Sequence, residues 1–321
     1  MNKILVTGAN GFVGTALINK LIAEEWTVTG AVRGERDLRG VEGVSIFEIG
    51  NIDENTDWKN ALKGIEAVVH TAARVHVMKE RPADSLKAYR SVNVHGTMKL
   101  ARQAAASGVR RFVFISTVKV YGEENTAAYN EADSPAPTDP YAISKLQAEK
   151  ELSKLANQTG MEIVFIRPPL IYGPGVKANF LKLLETVDRG LPIPLASIDN
   201  RRSLIYIENF VDAIVLCLRH PKAAGQTFLV SDGENQSTPD LIRRIAAALG
   251  RSPRLIHFSP KILQCLARGV GKGQVVDRLI GSLTVDDSKI RHYLGWRPPF
   301  TIEYGLEKTV AWYKKVRKSN R

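Results

Sequence analysis

The chain has 321 residues, 44% of them hydrophobic and 24% charged, which is typical of a soluble globular protein with one large or two modest domains. No apolar run reaches the roughly 18 residues that a membrane-spanning helix needs. Lysine and arginine exceed aspartate and glutamate by 45 to 33, a net charge of +12. The densest basic groups, at 201–202 and 314–321, are not interleaved with the aromatic side chains that stack on bases. Composition therefore predicts neither membrane insertion nor a nucleic-acid partner.

The two cysteines and six histidines limit the chemistry that the chain can carry. Cys217 and Cys265 lie in apolar helical patterns, which predicts buried thiols in a reducing compartment, the cytoplasm. The apolar run at 4–6 directly follows the first three residues and predicts a strand rather than a signal peptide. The histidines lack the spacing of metal ligands, so no metal site is predicted.

The first motif along the chain is a strand, a glycine turn and a helix, in that order. A β-rich run leads into Gly8, Gly11 and Gly14, and apolar residues then recur at helical spacing. Glycines let the backbone turn sharply and approach a ligand, while the helix N-terminus presents free N–H groups. The motif therefore predicts a dinucleotide site in which these glycines, with Phe12 and Val13, form the phosphate cradle.

The end of the second predicted strand, over 27–33, indicates which dinucleotide is bound. Folds that prefer NAD usually place an acid there, which binds the ribose 2′-hydroxyl. This chain has Arg33 instead, and Arg36 follows three residues later. A guanidinium at this point pairs with a 2′-phosphate. The sequence therefore favours NADP(H), with NAD(H) as the alternative.

Further β-rich runs alternate with helical patterns, which predicts an α/β fold with a parallel, doubly wound sheet. Open sheets of this class bind ligands at the carboxyl ends of their strands. Asn93, on a predicted helix, is expected to fasten neighbouring strand ends there, whereas His70 is expected to be a packed strand residue. The remaining β-rich runs are 44–49, 67–71, 111–115 and 162–167, and the residues expected to border the cofactor at their ends are Asn51, Ile52, Thr71, Ala72 and Ala73.

Two hydroxyl residues follow the fifth predicted strand. Thr117 is expected to donate its hydroxyl to a substrate oxygen. Ser116, its neighbour, is expected to brace the backbone beside the cofactor.

The stretch 139–145 predicts the opening of a helix, with Asp139 as the N-cap and Pro140 in the first turn. Tyr141 and Lys145 then stand four residues apart on one helical face. A tyrosine hydroxyl titrates near ~10, and a neighbouring ammonium favours the phenolate and lowers that pKa. The pair is expected to take a proton from a carbinol, or to give one to a ketone, as a hydride moves.

Proline and glycine density over 168–175 marks a departure from the alternating pattern. The segments beyond it predict a smaller, mixed lobe, with β-like runs that return to the edge of the first. The helical runs are 239–249, 260–268 and the segment before Trp296, and the β-like runs are 204–207 and 227–230.

This change of pattern suggests how the chain divides into domains. We expect a dinucleotide-binding domain of residues 1–173 plus about 203–235. A substrate lobe is expected to comprise about 174–202 plus 236–321.

Segments spread over nearly the whole chain resemble the extended short-chain dehydrogenase/reductase superfamily, in its nucleotide-sugar epimerase/dehydratase branch. The resemblance implies a Rossmann-type sheet with a smaller mixed α/β substrate lobe, a bound NAD(P) and a UDP-sugar substrate. It also implies a homodimer formed through the helices around 89–105 and 141–156. The matching segments are TGANGFVG at 7–14, HTAA at 70–73, NVHGT at 93–97, FISTVKVYG at 114–122, YAISK at 141–145, IRPPLIYGPG at 166–175, RRSLIYIENFVDAI at 201–214 and LGWRP at 294–298.

The resemblance also implies roles for individual residues. Tyr141 takes the position of the general acid/base, and Lys145 that of its pKa-lowering, ribose-binding partner. Thr117 sits where the family places a Ser or Thr on the sugar 4-hydroxyl, Ser116 borders the cofactor, and the backbone around Pro168 faces the nicotinamide.

Two arginines match the family's substrate-binding positions. Arg202 falls where an arginine binds the diphosphate of the sugar nucleotide, and Arg278 is expected to be the second such residue. A guanidinium suits this role because it binds phosphate oxygens bidentately.

Departures from the family pattern narrow the expected reaction. Related sugar 4,6-dehydratases carry an Asp-Glu pair where this chain has Val118 and Lys119, which argues against dehydration. Many 4-epimerases have an asparagine at the position of Leu170 and an aspartate at that of Asn209. Together with Arg33, these differences favour an NADPH-dependent UDP-4-keto-sugar reductase. The alternatives are a UDP-glucose or UDP-N-acetylglucosamine 4-epimerase, a reductase of a small ketone such as a dihydroflavonol, and a non-catalytic dinucleotide sensor.

Overall fold

The computed structural model describes residues 2–34, 43–75, 82–269, 271 and 273–319. None of the helices in these ranges is both long and apolar enough to cross a bilayer. The strands are Lys3–Thr7 (β1), Thr27–Val32 (β2), Val44–Glu48 (β3), Ala67–His70 (β4), Arg111–Ile115 (β5), Glu162–Arg167 (β6), Leu170–Tyr172 (β7), Arg202–Tyr206 (β8), Thr227–Leu229 (β9) and Asn235–Gln236 (β10). The α-helices are Phe12–Ala23 (α1), Pro82–Arg90 (α2), Thr97–Ala106 (α3), Pro140–Thr159 (α4), Ala178–Asp188 (α5), Ile207–Arg219 (α6), Thr238–Leu249 (α7), Pro260–Gly269 (α8), Gly273–Ile280 (α9), Ser288–Leu294 (α10) and Ile302–Ser319 (α11).

Seven strands form a parallel sheet in the order β3-β2-β1-β4-β5-β6-β9. The chain builds outward from β1 in one direction through β2 and β3, and then returns to the other side of β1 with β4. This reversal confirms the predicted doubly wound sheet, and such folds bind ligands outside the strand ends at the reversal.

The register of the sheet brings the carboxyl ends of its central strands to one edge. Thr7, the last residue of β1, pairs with Ala31 of β2 on one side and with His70 of β4 on the other. Ile115, the last residue of β5, pairs with Ile166 of β6. The loops after these strands therefore lie side by side, and they carry most of the residues predicted to form the site.

Side chains of alternating direction feed two apolar layers, one on each face of the sheet. On β5, Val113 belongs to the layer that includes Leu17 of α1 and Ile214 of α6. Phe112 belongs to the opposite layer, which includes Leu152 of α4. Both faces are therefore covered by helices, as a parallel sheet requires.

The local signals predicted for α4 are present at both ends. Asp139 is the N-cap and its Oδ1 accepts a hydrogen bond of 2.7 Å from the Ala142 N–H. Pro140 occupies the first turn, and Gly160 ends the helix in the left-handed conformation, with φ of 73°. These contacts fix where the helix begins and hence where Tyr141 lies.

A smaller sheet has the order β10-β8-β7, with β7 and β8 parallel and β8 and β10 antiparallel. The prediction for 227–230 is confirmed, because β9 pairs with β6 at the edge of the large sheet. The run 204–207 corresponds to β8, which does not join the large sheet but pairs with β7, within the segment 1–173 assigned above to the dinucleotide-binding domain. The free edge of β6 is taken by β9, while β7, which follows β6 after two prolines, offers β8 a partner. The domain division given above stays a prediction.

The two cysteines have different surroundings, and neither forms a disulfide. Cys217 is buried in α6, where burial raises the pKa of its thiol to about 12. Cys265 is exposed on α8, so the prediction that it is buried is wrong. Its helix is amphipathic, and this residue falls on the outer face.

Arg111 ties the large sheet to α6. It is only 2% exposed, and its Nη1 donates to the carbonyls of Cys217, Leu218 and His220 at 2.8–2.9 Å. Its Nη2 lies 2.6 Å from Glu162 Oε2. The guanidinium therefore satisfies the carbonyl groups at the end of α6, which have no partner within the helix.

We predict that Arg111→Met lowers the free energy of unfolding by about 2–4 kcal/mol, because buried carbonyls and a carboxylate lose their donor. The measurement is urea denaturation followed by circular dichroism. Arg110→Met is the matched control, since Arg110 is exposed on the same strand edge and should change stability by less than about 0.5 kcal/mol. Equal effects of the two substitutions would contradict the assignment.

Candidate active site

At the glycine turn, the backbone of the loop after β1 lies in direct contact with the backbone of the loop after β4. Gly8 has φ of +64°, and a Cβ added to it would lie 2.9 Å from the N and Cα of Ala72. A Cβ on Gly14 would lie 2.1 Å from the Gly8 carbonyl oxygen. Side chains are excluded at both positions, and the turn leads directly into Phe12 and Val13 at the N-terminus of α1. The close approach that a dinucleotide pyrophosphate needs is therefore built into this turn.

The end of β4 is fastened to the end of β1. Thr71 Oγ1 donates to the Thr7 carbonyl at 2.6 Å. His70 is buried between the hydroxyls of Thr7, at 2.7 Å, and Thr97, at 2.9 Å. Burial, together with the charge of Lys145, lowers the pKa of His70 to about 3, so the ring is neutral. The prediction that His70 is a packed strand residue is confirmed.

Asn93 joins the loop after β4 to the helix of Tyr141. Its Oδ1 accepts a bond of 2.8 Å from Arg74 N, and its Nδ2 donates to Arg74 O at 3.1 Å and to Ser144 Oγ at 2.9 Å. Ser144 Oγ in turn donates to the Tyr141 carbonyl at 2.7 Å. Asn93 therefore fastens one strand end, the loop after β4, to α4 rather than joining two neighbouring strand ends as predicted.

The loop after β3 packs tightly on a π-helical segment, Ser91–Gly96, between α2 and α3. A Cβ on Gly96 would lie 2.6 Å from Ile52 Cγ2, so glycine is needed for this contact. Asn51 is exposed beside Ile52, and Arg33 is exposed at the end of β2. Arg36 lies outside the described residues. Asn51, Ile52 and Arg33 thus follow strands of the sheet edge that also carries the glycine turn; their contact with a cofactor stays a prediction.

The loop after β5 presents two hydroxyls of different kinds. Ser116 is 3% exposed, and its Oγ has no hydrogen-bond partner within the described ranges. It does not brace the backbone through its hydroxyl, contrary to expectation, and remains available to a ligand. Thr117 begins a short 3-10 turn, and its Oγ1 accepts a 3.3 Å bond from Lys119 N. Pro168 lies next to them, since its carbonyl accepts a 3.0 Å bond from Val118 N.

Tyr141 and Lys145 lie on consecutive turns of α4, as predicted. Lys145 is 1% exposed, and its Nζ stands 3.7 Å from the centroid of the Phe114 ring. The next carboxylate along the helix, Glu149, is engaged by Arg167 through contacts of 2.5 and 3.1 Å. Burial therefore lowers the pKa of Lys145 to about 7, although the charge of Glu149 opposes this.

The predicted lowering of the Tyr141 pKa is wrong for this arrangement. Tyr141 is partly buried, and its ring meets that of Tyr89 edge-on, with centroids 6.3 Å apart. Burial raises the pKa of Tyr141 above its ordinary value, and the charge of Asp139 and the neighbouring Tyr89 raise it further. The sequence predicted Asp139 only as the cap of this helix, so it gave neither the burial of Tyr141 nor the effect of the Asp139 charge on its pKa.

The two predicted substrate arginines are adjacent. Arg202 Nη1 donates to the carbonyl of Arg278 at 2.7 Å and to that of Gly281 at 2.9 Å. Arg278 Nη2 lies 3.1 Å from Glu123 Oε1, while its buried Nε has no partner within the part of the chain that the structure describes. Burial lowers the pKa of Arg202, although the charges of Glu123 and Glu124 oppose this.

One departure from the family pattern has a structural explanation. Asn209 is fully buried and exchanges two bonds of 2.9 Å with the backbone of Phe300. It also donates to Asp232 at 2.8 Å. An aspartate at 209 would face the buried carboxylate of Asp232, so asparagine serves packing here and says nothing about the substrate. Leu170, by contrast, is 44% exposed at the start of β7.

The sequence did not predict the neighbouring groups that determine the pKa values of Tyr141 and Lys145. Phe114, beneath Lys145, looked like an ordinary strand residue. Glu149 stands four residues after Lys145, a helical spacing that signals contact, but its engagement by Arg167 depends on β6. The sequence shows only that Lys119 stands where related dehydratases carry an acidic residue. In the structure it pairs with Glu123 and with Asp139.

We predict that Lys145→Met raises the free energy of unfolding by about 1–3 kcal/mol at pH 7, because it removes an unpaired buried amine. The unfolded chain binds this proton up to about pH 10.5, and the folded chain only up to about pH 7. The stability of the unsubstituted protein therefore rises with pH between these values, and its deficit relative to Lys145→Met should shrink.

Thermal and urea unfolding at neutral and alkaline pH test this prediction. Lys150→Met, at an exposed position on the same helix, is the control and should show a difference below about 0.5 kcal/mol at both pH values. A loss of stability in Lys145→Met at pH 7 would show that the amine is paired.

Comparison with known proteins identifies the family. A family model described as the NAD dependent epimerase/dehydratase family matches residues 4–231. Over 312 residues the chain is 45% identical to a UDP-glucose 4-epimerase of Vibrio cholerae, covering 96% of this chain and 94% of that protein. It is 30% identical to a UDP-glucose 4-epimerase of Mycolicibacterium smegmatis, covering 97% and 98% of the two chains.

A solved structure of MoeE5 in complex with UDP-glucose and NAD has a TM-score of 0.79 at 25% identity, covering 98% of this chain and 100% of that one. Fold and sequence thus lead to the same conclusion. The chain is a member of the NAD-dependent epimerase/dehydratase family, within the extended short-chain dehydrogenases/reductases.

Proposed function

We propose that this protein is a UDP-sugar 4-epimerase, which catalyses reversible oxidation and reduction at C4 of a UDP-hexose or UDP-N-acetylhexosamine with bound NAD(P). The observation that carries the proposal is the convergence of Tyr141, Thr117 and the glycine turn at one sheet edge. Identity of 45% to a protein named UDP-glucose 4-epimerase favours epimerisation over the reductase that the sequence suggested. Because Asn209 is a packing residue, one argument against epimerisation is also removed.

The residues around the glycine turn fit a dinucleotide. Gly8 and Gly14 leave backbone exposed where a Cβ would block it, and the buried hydroxyl of Ser116 is free to bond a ligand. Lys145 is assigned to the ribose hydroxyls, which would replace its contact with the Phe114 ring. When bound, NAD(P) supplies the acceptor and donor of the hydride.

Residues of α4 and of the loop after β5 transfer the proton. Tyr141 takes the proton of the 4-hydroxyl as C4 is oxidised, and Thr117 orients the sugar oxygen with its hydroxyl. After the 4-keto sugar has turned its other face, Tyr141 returns the proton to O4. Because burial and Asp139 raise the pKa of Tyr141, the neutral phenol is the stable form, and the proton-accepting step is favoured by rising pH.

The diphosphate of the substrate is assigned to the paired arginines. Arg202 is held in place through the carbonyl of Arg278, and the unpartnered Nε of Arg278 is a donor for a phosphate oxygen. Two guanidinium groups suit a diphosphate because each binds two oxygens. If Arg202→Ala leaves the Michaelis constant unaltered, the substrate is a small ketone without a diphosphate.

A second candidate function is the NADPH-dependent reduction of a UDP-4-keto sugar. The exposed Arg33 at the end of β2, where NAD-binding folds usually place an acid, is the observation that favours it. The two functions differ in stoichiometry, because an epimerase returns each hydride whereas a reductase consumes one reduced cofactor per product.

Cellular location and assembly follow as further proposals. The protein is proposed to act in the cytoplasm, where its two free thiols stay reduced. A homodimer is proposed to form through α2, α3 and α4. Light scattering of the purified protein gives the molar mass that tests this.

We predict that Tyr141→Phe lowers kcat by about 10²–10⁴-fold, with little change in UDP-sugar binding, because only the transferable proton is lost. The assay supplies UDP-glucose, UDP-galactose and their N-acetylamino counterparts without added reductant, and follows the 4-epimer by chromatography. Tyr89→Phe, which keeps the ring contact and removes a different hydroxyl, is the control. Full turnover by Tyr141→Phe would refute the proposal. Absence of turnover by the unsubstituted protein with every substrate tested would support the dinucleotide sensor.

We predict that Arg33→Leu leaves NAD(H) binding unchanged. If NADP(H) is the physiological cofactor, the substitution weakens NADP(H) binding by about 10–100-fold, the worth of one charge-assisted contact. Fluorescence titration with both reduced cofactors measures this effect. If the protein consumes one NADPH per UDP-4-keto sugar reduced, and Arg33→Leu weakens NADP(H) binding as stated, the proposed function becomes the reductase instead of the epimerase.

A further inference from the structure

Lys119 occupies the position where related sugar dehydratases carry an acid, and here it joins two carboxylates. Its Nζ lies 2.5 Å from Glu123 Oε1 and 2.8 Å from Asp139 Oδ2. The side chain is 21% exposed, so the ammonium is partly shielded from solvent. Glu123 extends the contact to Arg278 at 3.1 Å. An ionic chain thus runs from a proposed substrate arginine to the start of the Tyr141 helix.

Asp139 is fixed at both of its oxygens. Oδ1 accepts the Ala142 N–H at 2.7 Å as the cap of α4, and Oδ2 accepts from Lys119. Burial alone would raise the pKa of this carboxyl, but Lys119 and the Ala142 N–H together hold it below its ordinary value. Asp139 is therefore an anion at neutral pH, two residues before Tyr141.

The charged and titratable groups around Tyr141 come from two elements, α4 and α2. Asp139 precedes it at the start of α4, Lys145 follows on the next turn, and Tyr89 approaches from α2. Asp139 disfavours the phenolate. Its direct partner Lys119 comes from the turn after β5, which also carries Thr117. The Lys119 ammonium thus offsets the carboxylate that most directly opposes deprotonation of Tyr141.

We propose that Lys119 is a positioning residue for Tyr141: its ammonium holds and neutralises the Asp139 carboxylate that caps the helix of the acid–base tyrosine. The proposal rests on the proposed function, since it requires Tyr141 to exchange the proton. It also gives the residue that replaces the dehydratase acid a purpose in C4 chemistry. Lys119 acts only through Asp139 and contacts no reacting atom.

The test is a double-mutant cycle read from the pH dependence of kcat/KM for epimerisation. Lys119→Met leaves Asp139 as an uncompensated anion, so the apparent pKa of the rising limb should increase by roughly one unit. Activity at neutral pH should then fall about tenfold. Asp139→Asn keeps a good helix cap and removes the charge, so its apparent pKa should decrease. The double variant should return close to the unsubstituted value, because no charge remains to be offset.

A merely structural role predicts a different result. If Lys119 only stabilised the turn, Lys119→Met would lower activity equally at all pH values, and Asp139→Asn would not restore it. That outcome, or an unchanged profile in Lys119→Met, overturns the proposal. Lys154→Met is the matched control, because Lys154 forms an exposed ion pair with Glu151 on the same helix. Its profile should not move.

The cycle also separates this proposal from the proposed function. A fully active Tyr141→Phe enzyme would reject the acid–base assignment itself. An inactive Tyr141→Phe enzyme with an unshifted Lys119→Met profile would reject only the role of Lys119. Where the activity of a folded variant is too low for a pH profile, a difference titration of phenolate absorbance between folded proteins with and without Tyr141 reports the pKa of Tyr141 directly, and an unshifted value in Lys119→Met again overturns the proposal.

Discussion

The backbone contact between Gly8 and Ala72 is the constraint on which this site depends. β1 and β4 are neighbours in the sheet although two strands separate them in the chain, and their last residues, Thr7 and His70, lie in register. The two loops that leave these strands must therefore pass each other, and a Cβ at Gly8 would close the gap. The bonds of Thr71 and Asn93 hold the second loop in this position, so the opening at the sheet edge is fixed by backbone geometry.

The burial of Lys145 lowers the stability of the folded protein, and the proposed function gives this burial a purpose. Its ammonium rests on the face of Phe114, a contact that recovers only part of the lost hydration. The one carboxylate a helical turn away, Glu149, is held by Arg167. A solvated or fully paired lysine would hold its proton more tightly. It would also keep its water or carboxylate partner rather than exchange it for a ligand hydroxyl. The burial instead leaves an amine that has no ionic partner within the described ranges and that the proposed function assigns to the hydroxyl groups of the ribose.

The parts of this structure that depend on local pattern were predictable, and those that depend on distant pairing were not. Apolar periodicity placed β1 to β6 within one residue of their observed ends, and the Asp139 cap fixed the start of α4. β7 and β10 contain three and two residues, too few to carry a signal, so the partner of β8 was out of reach. The direction of the Tyr141 pKa shift was out of reach for a related reason, because it depends on burial in the folded chain and on the charge of Asp139, which the sequence identified only as a helix cap.

The replacement of an acid by Lys119 shows how one scaffold can separate its reactions. A dehydratase needs a proton donor and acceptor beyond C4, next to the strand-end hydroxyl, and an ammonium bound to two carboxylates supplies neither. Removal of that acid would still leave Asp139 beside the tyrosine, where its charge opposes the proton transfer proposed for Tyr141. A cation at 119 removes the additional chemistry and compensates Asp139 in one change. Under the proposed function, the same side chain therefore accounts both for the absence of dehydration and for a tyrosine that can exchange its proton at C4.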